Sequence, residues 1–281
     1  QIVDLSEYKM PPCIILRSDG ATLYATRDIA AALYRKDTYD FAKCLYVVAY
    51  QQDLHFRQWF KVVELMGYDW AKDLIHVSFG MVSGTDGAFS TRKGNMVKLR
   101  DVLSAACEKT YDIIREKSPD LEDKETIAKQ VGIGALIWNS LYNGRIKDVV
   151  FDWDAVLNFD GETGPYAQYT HARACSVLKK ADYKPGEIDY SKLTDAEAAA
   201  VVAALGAFPD AVVEAMEKNE PYLVTRAIIA ICAAFNKFYY EQRIMADDAS
   251  VRQARLALTD ATRKVIAIGL GLIGIAAPER M

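Results

Sequence analysis

Residues 157–173, LNFDGETGPYAQYTHAR, mark the point where the pattern of the sequence changes. Before this stretch, strand-like and helix-like runs alternate, and after it almost only helical periodicity is found. Gly161 and Gly164 allow a tight hinge. Pro165 suits the first turn of a helix, with Thr163 or Gly164 as its N-cap. The sequence therefore predicts an α/β part followed by an all-α part.

The helix that follows the hinge carries a face of unusual composition. Tyr166, Tyr169, Thr170 and Arg173 recur at helical spacing, so they share one side of the helix. Aromatic rings next to a cation are what unpaired nucleic-acid bases stack on. The same pattern is also typical of half-buried packing tyrosines beside a solvated arginine, and the spacing alone leaves both interpretations open.

Length and charge limit the kinds of function that the chain can have. Its 281 residues are long for one domain, and 51% of them are hydrophobic, so two domains with full cores are predicted. The net charge is −4, and residues 164–281 carry 14 basic and 14 acidic side chains. Bulk basicity is therefore excluded as a source of nucleic-acid binding, which must come from local patches.

Cysteine usage and hydropathy predict a cytoplasmic protein. The five cysteines form no CxxC pair and the three histidines are isolated, so no metal site is expected. The cysteines are expected to be reduced thiols. No uninterrupted apolar run approaches about 20 residues, and no signal peptide is found, so no membrane span is expected. The first residue is Gln1 rather than methionine, which fits a piece of a longer protein.

The N-terminal part predicts a parallel sheet with crossover helices. Strands are expected at 13–16, 22–25, 43–49 and 74–79, with a helix capped by Thr26 after the second and another helix after the third. This places Tyr24 at a strand end and Asp28 in a first helical turn, at the ligand-binding edge of the sheet. Asp28 could equally complement the helix dipole. Gln52 and His55 follow the next strand at the same edge.

A glycine-rich loop at 80–95 and six helices complete the prediction. The loop holds two hydroxyls, Ser90 and Thr91, and two cations, Arg92 and Lys93. Such a loop can bring backbone N–H groups and positive charge to a phosphate. The same composition is also common in surface loops without a ligand. Helices are expected at 101–117, 123–143, 165–181, 194–218, 222–242 and 250–269, with Asp101 as a cap, and the last four form a bundle.

Taken together, these runs resemble arginyl-tRNA synthetase, a class I aminoacyl-tRNA synthetase. The order and spacing of the similar segments are also the family's, and they cover essentially the whole chain. The segments are DGATLYATRDIAAALYR (19–35), YVVAYQQDLHF (46–56), HVSFGMV (76–82), FSTRKGN (89–95), VGIGA (131–135), FDWDAVLNFDGETGPYAQYTHAR (151–173), AFNKFYYE (234–241) and APERM (277–281).

The resemblance implies a C-terminal part of such an enzyme. Residues 1–100 would be the second half of the Rossmann-type catalytic domain, 101–163 a helical connecting region, and 164–281 an all-helical anticodon-binding domain. The family joins arginine to its tRNA through arginyl-adenylate. L-arginine, the tRNA for arginine, and ATP with Mg²⁺ are thus implied as substrates and partners, without a bound prosthetic group or a membrane, in a monomeric cytoplasmic protein.

The resemblance also implies roles for residues of the α/β part. The arginine contacts fall on Tyr24, Asp28 and Gln52, and a carboxylate such as Asp28 is what a guanidinium pairs with. ATP contacts fall on Gln52 and His55 and on the loop residues Ser90, Thr91, Arg92 and Lys93, of which Ser90, Arg92 and Lys93 would be catalytic. This loop departs from the class I KMSKS signature: Ala88 and Thr91 stand where the lysines would be, and Phe89 stands for the methionine.

In the helical part, the family's anticodon-loop contacts fall on Tyr166, Tyr169, Tyr239 and Met281, and Arg173 on the same helix face as the first two is also predicted to bind tRNA. The other class I signature, of the HIGH type, is not found in the sequence. The chain is therefore expected to bind tRNA and to be inactive alone. Two other functions stay open: a tRNA-binding or regulatory protein without catalysis, and another class I synthetase with a similar helical domain.

Overall fold

The computed structural model describes residues 1–84, the backbone of 87–88, and residues 98–158 and 161–281. The chain forms two compact units. The first contains residues 1–81 and 146–148, and the second contains 82–145 and 149–281. The predicted fold class, parallel strand pairs followed by a helical bundle, is confirmed, whereas the three-part division at residues 100 and 163 stays a prediction.

The first unit combines two small sheets with two helices. One sheet is an antiparallel pair, and the other is a parallel pair in which Cys44 lies opposite Leu74 and Ala49 opposite Phe79. The connection between the parallel strands is a helix, as the sequence predicts. In chain order the elements are β1 (Ile2–Val3), β2 (Cys13–Ile14), α1 (Tyr24–Tyr39), β3 (Cys44–Ala49), α2 (Asp53–Leu65) and β4 (Leu74–Phe79).

The predicted strand at 22–25 is wrong, and so is the cap assigned to Thr26. Helix α1 already begins at Tyr24, with Leu23 as its N-cap. The Thr26 hydroxyl donates a hydrogen bond to the carbonyl of Ile15, which holds the first turn of α1 against the preceding segment. Tyr24 and Asp28 thus lie one turn apart on α1 rather than on a strand end and a helix.

The two faces of β3 differ in burial. Cys44, Tyr46 and Val48 pack against the core of the unit, which includes Trp59 of α2. Leu45 and Val47 point to the opposite face and are 47% and 65% exposed. Among the described residues, β3 pairs only with β4. Parallel strands are usually covered on both faces, so the exposure of this apolar face is unusual for a parallel strand.

The second unit is built mainly of helices. In chain order its elements are β5 (Val82–Gly84), β6 (Gly87–Ala88), α3 (Leu99–Lys117), α4 (Lys124–Leu141), β7 (Val149–Phe151), α5 (Trp153–Val156), α6 (Gly164–Lys180), α7 (Ala196–Lys218), α8 (Tyr222–Glu241) and α9 (Ala249–Leu272). The three strands form a small sheet of order β6-β5-β7, in which β5 pairs antiparallel with β6 and parallel with β7.

The hinge and the helix start at residues 161–166 are confirmed. Gly161 has a φ of 86°, which a glycine adopts without strain. Thr163 is the N-cap of α6, and its hydroxyl accepts the backbone N–H of Tyr166 at 3.2 Å. Asp101, in contrast, is not a cap, because α3 begins at Leu99 and Asp101 lies within its first turn.

Gly132 lets α3 and α4 approach closely. A Cβ added at Gly132 would lie 2.7 Å from the carbonyl oxygen and 2.8 Å from the carbonyl carbon of Ala106, which are backbone atoms of α3. Gly132→Ala should therefore lower the free energy of unfolding by about 1–3 kcal/mol, although alanine favours helices. Gly206→Ala in α7 is the matched control, because no described atom lies within 4 Å of an added Cβ.

The control should raise the free energy of unfolding by roughly 0.5–1 kcal/mol, the usual gain of alanine over glycine in a helix. Urea titrations of the two variants followed by far-UV circular dichroism provide the measurement. A Gly132→Ala chain as stable as the Gly206→Ala chain would show that the two helices can separate without cost.

Two described helices, Ala196–Lys218 and Tyr222–Glu241, are long and apolar enough to cross a membrane by length and composition alone. Core helices of soluble proteins meet the same criterion. Helix α8 buries Ile228, Ile231, Phe235 and Phe238 completely. Core packing in the bundle therefore accounts for the apolarity of α8.

Candidate functional site

A groove in the second unit brings together four of the five residues predicted to contact tRNA. It has a volume of about 520 Å³ and is formed by α6, the end of α8, the segment that follows α8, and the C-terminus. The four predicted residues in its lining are Tyr169, Arg173, Tyr239 and Met281. Tyr169 and Arg173, which share one helix face, thus lie in the same groove as the distant residues Tyr239 and Met281.

Arg173 organises the aromatic side chains of this groove. Its guanidinium carbon lies 4.8 Å from the ring centroid of Tyr169 and 5.0 Å from that of Tyr239, within the range of cation–π attraction. Its Nη1 also donates to Oδ1 of Asn236 at 2.5 Å. The two rings are 43% and 41% exposed, so they are fixed next to a cation while keeping surface for another planar group.

Tyr166 lies apart from this groove. It is half-buried and packs against the cluster that contains Ile228. Its hydroxyl accepts from Nδ2 of Asn236 at 3.0 Å, and the same amide donates to Oγ1 of Thr170 at 2.9 Å. The contacts of Tyr166 are therefore indirect: its hydroxyl binds the side-chain amide of Asn236, and that amide accepts a hydrogen bond from Arg173. A direct contact with tRNA stays a prediction.

The C-terminal tail is fastened to α6 by two buried side chains that the sequence analysis did not single out. Gln168 donates from Nε2 to the carbonyl of Ala276 at 2.8 Å, and Nδ1 of His171 donates to the carbonyl of Pro278 at 3.0 Å. Burial lowers the pKa of His171, which favours the neutral ring with one N–H. These bonds bring Met281 to the groove.

Three further cations line the groove and were also missed. Lys180 follows Arg173 by two helical turns, so its position on the same face of α6 could have been predicted from spacing. Arg243 pairs with Asp247 at 3.2 Å and Arg280 with Glu122 at 3.0 Å. The described lining of the groove thus holds four cationic side chains and no Asp or Glu side chain, although residues 164–281 carry no net charge and two of the four cations are paired with acids outside the lining.

In the first unit, the predicted arginine and ATP contacts fall on α1 and on the start of α2. Gln52 ends a short 3₁₀ turn that leads into α2. Oδ2 of Asp28 lies 2.7 Å from Nε2 of His55, so a residue predicted to bind arginine contacts one predicted to face ATP. The loop residues Ser90, Thr91, Arg92 and Lys93 lie outside the described residues.

Comparison with protein families gives one match for each part of the chain. The family described as tRNA synthetases class I (R), catalytic domain, matches residues 1–153. The family described as DALR anticodon binding domain matches residues 167–281. The groove lies in the second of these ranges, and the Asp28–His55 pair lies in the first.

Individual proteins give similar results. The chain is 55% identical over 282 residues to the arginine–tRNA ligase of Clostridioides difficile strain 630 and 57% identical over 282 residues to that of Halothermothrix orenii strain H 168; each alignment covers 100% of this chain and 50% of the relative. Among solved structures, Thermus thermophilus arginyl-tRNA synthetase matches with a TM-score of 0.91 and 27% identity, over 100% of this chain and 53% of that one. The chain therefore spans about half the length of the curated relatives it matches.

Proposed function

Because this chain belongs to the family of class I arginyl-tRNA synthetases, we propose that it is part of an enzyme that attaches arginine to the tRNA for arginine through arginyl-adenylate. Within that enzyme the second unit binds the anticodon loop, and the first unit contributes to the arginine and ATP sites. The family and the two matched ranges support the class of protein, and the groove supports the role of the second unit.

The observation that carries the proposed RNA binding is the arrangement of Tyr169, Arg173 and Tyr239. Two half-exposed rings held by a guanidinium form a platform on which unpaired bases stack, and base–aromatic stacking contributes about 1–3 kcal/mol per base. Lys180 and the rim arginines supply positive charge for the phosphates between such bases. Stacking with a local cation patch needs no overall basic charge, which agrees with the composition.

The proposed arginine site rests on Asp28, with Tyr24 and Gln52 as further contacts. Asp28 is one of two carboxylates in α1, the other being Asp37, and a carboxylate can accept two guanidinium N–H bonds at once. ATP is proposed as the second substrate, contacted by Gln52 and by the loop residues Ser90, Thr91, Arg92 and Lys93. Ser90, Arg92 and Lys93 would stabilise charge that develops on the phosphates.

Mg²⁺ belongs to this proposal only as the counter-ion that ATP brings. In the residues that the structure describes, no group of three or more His, Cys, Asp or Glu side chains could hold a metal ion. In this proposal the chain's own side chains bind and orient arginine and neutralise phosphate charge. A monomeric state, a cytoplasmic location and the absence of membrane contact are part of the same proposal.

The experiment that tests this function compares the 281-residue chain with the full-length protein. The full-length protein should charge tRNA with arginine. The shorter chain should bind the same tRNA, with an affinity that falls as salt rises, because some contacts are to phosphates. It should show no arginine-dependent exchange of pyrophosphate into ATP, since ATP would be held by both halves of a Rossmann-type domain.

Filter binding at two salt concentrations and the exchange assay measure these two properties. A full-length protein that binds tRNA but charges none would favour a binding protein without catalysis. Charging with another amino acid would favour a different class I synthetase. Exchange by the shorter chain would contradict the assignment of half an ATP site to it.

A further inference from the structure

The Asp28 carboxylate is held by a neighbour on another helix. Nε2 of His55, in the first turn of α2, lies 2.7 Å from Oδ2 of Asp28 on α1. An ionised carboxylate only accepts hydrogen bonds, so Nε2 carries the proton and donates. The contact therefore fixes the direction of the carboxylate from a second element of the fold.

This bond leaves most of the carboxylate available. An ionised carboxylate has about four lone-pair sites, so one donor on Oδ2 leaves Oδ1 and a second site of Oδ2 to accept further hydrogen bonds. The Asp28 side chain is 41% exposed, so part of it is accessible to a ligand. His55 thus contacts one oxygen of Asp28 and leaves acceptors for a guanidinium.

His55 is itself well placed for this task, and the other histidine of the unit is engaged elsewhere. The His55 ring meets the edge of Phe56, with ring centroids 5.5 Å apart, and its side chain is 26% exposed. His76 instead lies 3.1 Å from Oδ1 of Asp53 and 3.0 Å from the carbonyl of Val48. Of the two histidines in this unit, His55 is thus the one that contacts Asp28.

We propose that His55 is a positioning residue for the arginine pocket, one that sets the Asp28 carboxylate in the orientation that the substrate guanidinium requires, rather than a contact to ATP. The inference rests on the proposed function, in which Asp28 binds the guanidinium. It replaces the role that the family resemblance implies for His55. An amino acid with an uncharged side chain would gain nothing from this arrangement, so His55 would also contribute to specificity against such amino acids.

The test uses the full-length enzyme with tRNA present and measures arginine-dependent pyrophosphate exchange. His55→Ala should raise KM for arginine about tenfold, the size expected for loss of one hydrogen bond to a charged group, and should change KM for ATP and kcat less than twofold. His55→Gln should restore KM for arginine to near the wild-type value, because its amide N–H can reach the place of Nε2. In the Asp28→Asn background, His55→Ala should add nothing further.

Four results would overturn the inference. A rise in KM for ATP with unchanged KM for arginine would return His55 to an ATP contact. A loss of kcat that His55→Gln fails to restore would make its role merely structural. A normal KM for arginine in His55→Ala, together with a raised KM for arginine in Asp28→Asn, would contradict the inference but support the assignment of Asp28 to the arginine site. If Asp28→Asn itself leaves KM for arginine unchanged, both assignments fail.

Discussion

Changing Tyr169 and Tyr239 together to alanine should abolish most of the affinity for tRNA. If one base stacks on each ring, each ring contributes about 1–3 kcal/mol, so the double variant should bind at least about 30-fold more weakly. The loss should exceed that from either single change, since Arg173 also loses the two rings that flank its guanidinium. Equilibrium binding of tRNA for arginine to the full-length protein is the measurement.

Tyr240→Ala is the matched control for this pair. Tyr240 is 90% exposed and follows Tyr239 on α8, but it does not line the groove. The control should bind tRNA like the wild type. Because both groove tyrosines are more than 40% exposed, the thermal unfolding midpoint of the double variant should stay close to that of the control. If the double variant binds tRNA as tightly as Tyr240→Ala does, Tyr169 and Tyr239 have only a packing role.

Asp28→Asn should weaken arginine binding by the full-length enzyme. An asparagine keeps one acceptor oxygen and turns N–H groups toward a guanidinium that only donates. The loss of a charge-assisted hydrogen bond should cost about 1.5–3 kcal/mol, roughly a 10- to 150-fold rise in KM for arginine. KM for ATP should change little, because the substitution removes no phosphate contact. The exchange assay with varied arginine and varied ATP separates the two constants.

Asp37→Asn is the corresponding control on the same helix. Asp37 is an exposed residue of α1 near its C-terminal end, more than two turns from Asp28. Its substitution removes the same formal charge without touching the pocket, so KM for arginine should stay at the wild-type value. An Asp28→Asn enzyme that behaves like Asp37→Asn would leave only the helix-dipole role for Asp28.

The helical part of the fold was predictable because its signals are local. Apolar periodicity placed the four bundle helices within about three residues of their observed ends. The Thr163 cap and Pro165 gave the start of α6. The strand predicted at 22–25 failed because β-branched and aromatic residues favour strands, whereas the contact that fixes α1 runs from Thr26 to Ile15, a tertiary contact invisible to local propensity.

The groove was predictable only in part for the same reason. Tyr169 and Arg173 lie four residues apart, so their common face follows from helix geometry. The tail reaches the groove through Gln168 and His171, whose partners lie 108 and 107 residues further along the chain. No sequence pattern encodes such long-range bonds directly, which is why the role of Arg280 in the groove was missed.

The uncovered face of β3 has a consequence for how this chain meets other protein chains. Leu45 and Val47 present an apolar strand surface that is in contact with water. Among the described residues β3 pairs with β4 alone, so the other edge of β3 also offers unpaired N–H and C=O groups. An apolar face beside an open strand edge is the arrangement through which strands of different chains pair, so we expect aggregation of this chain to begin at the β3–β4 pair.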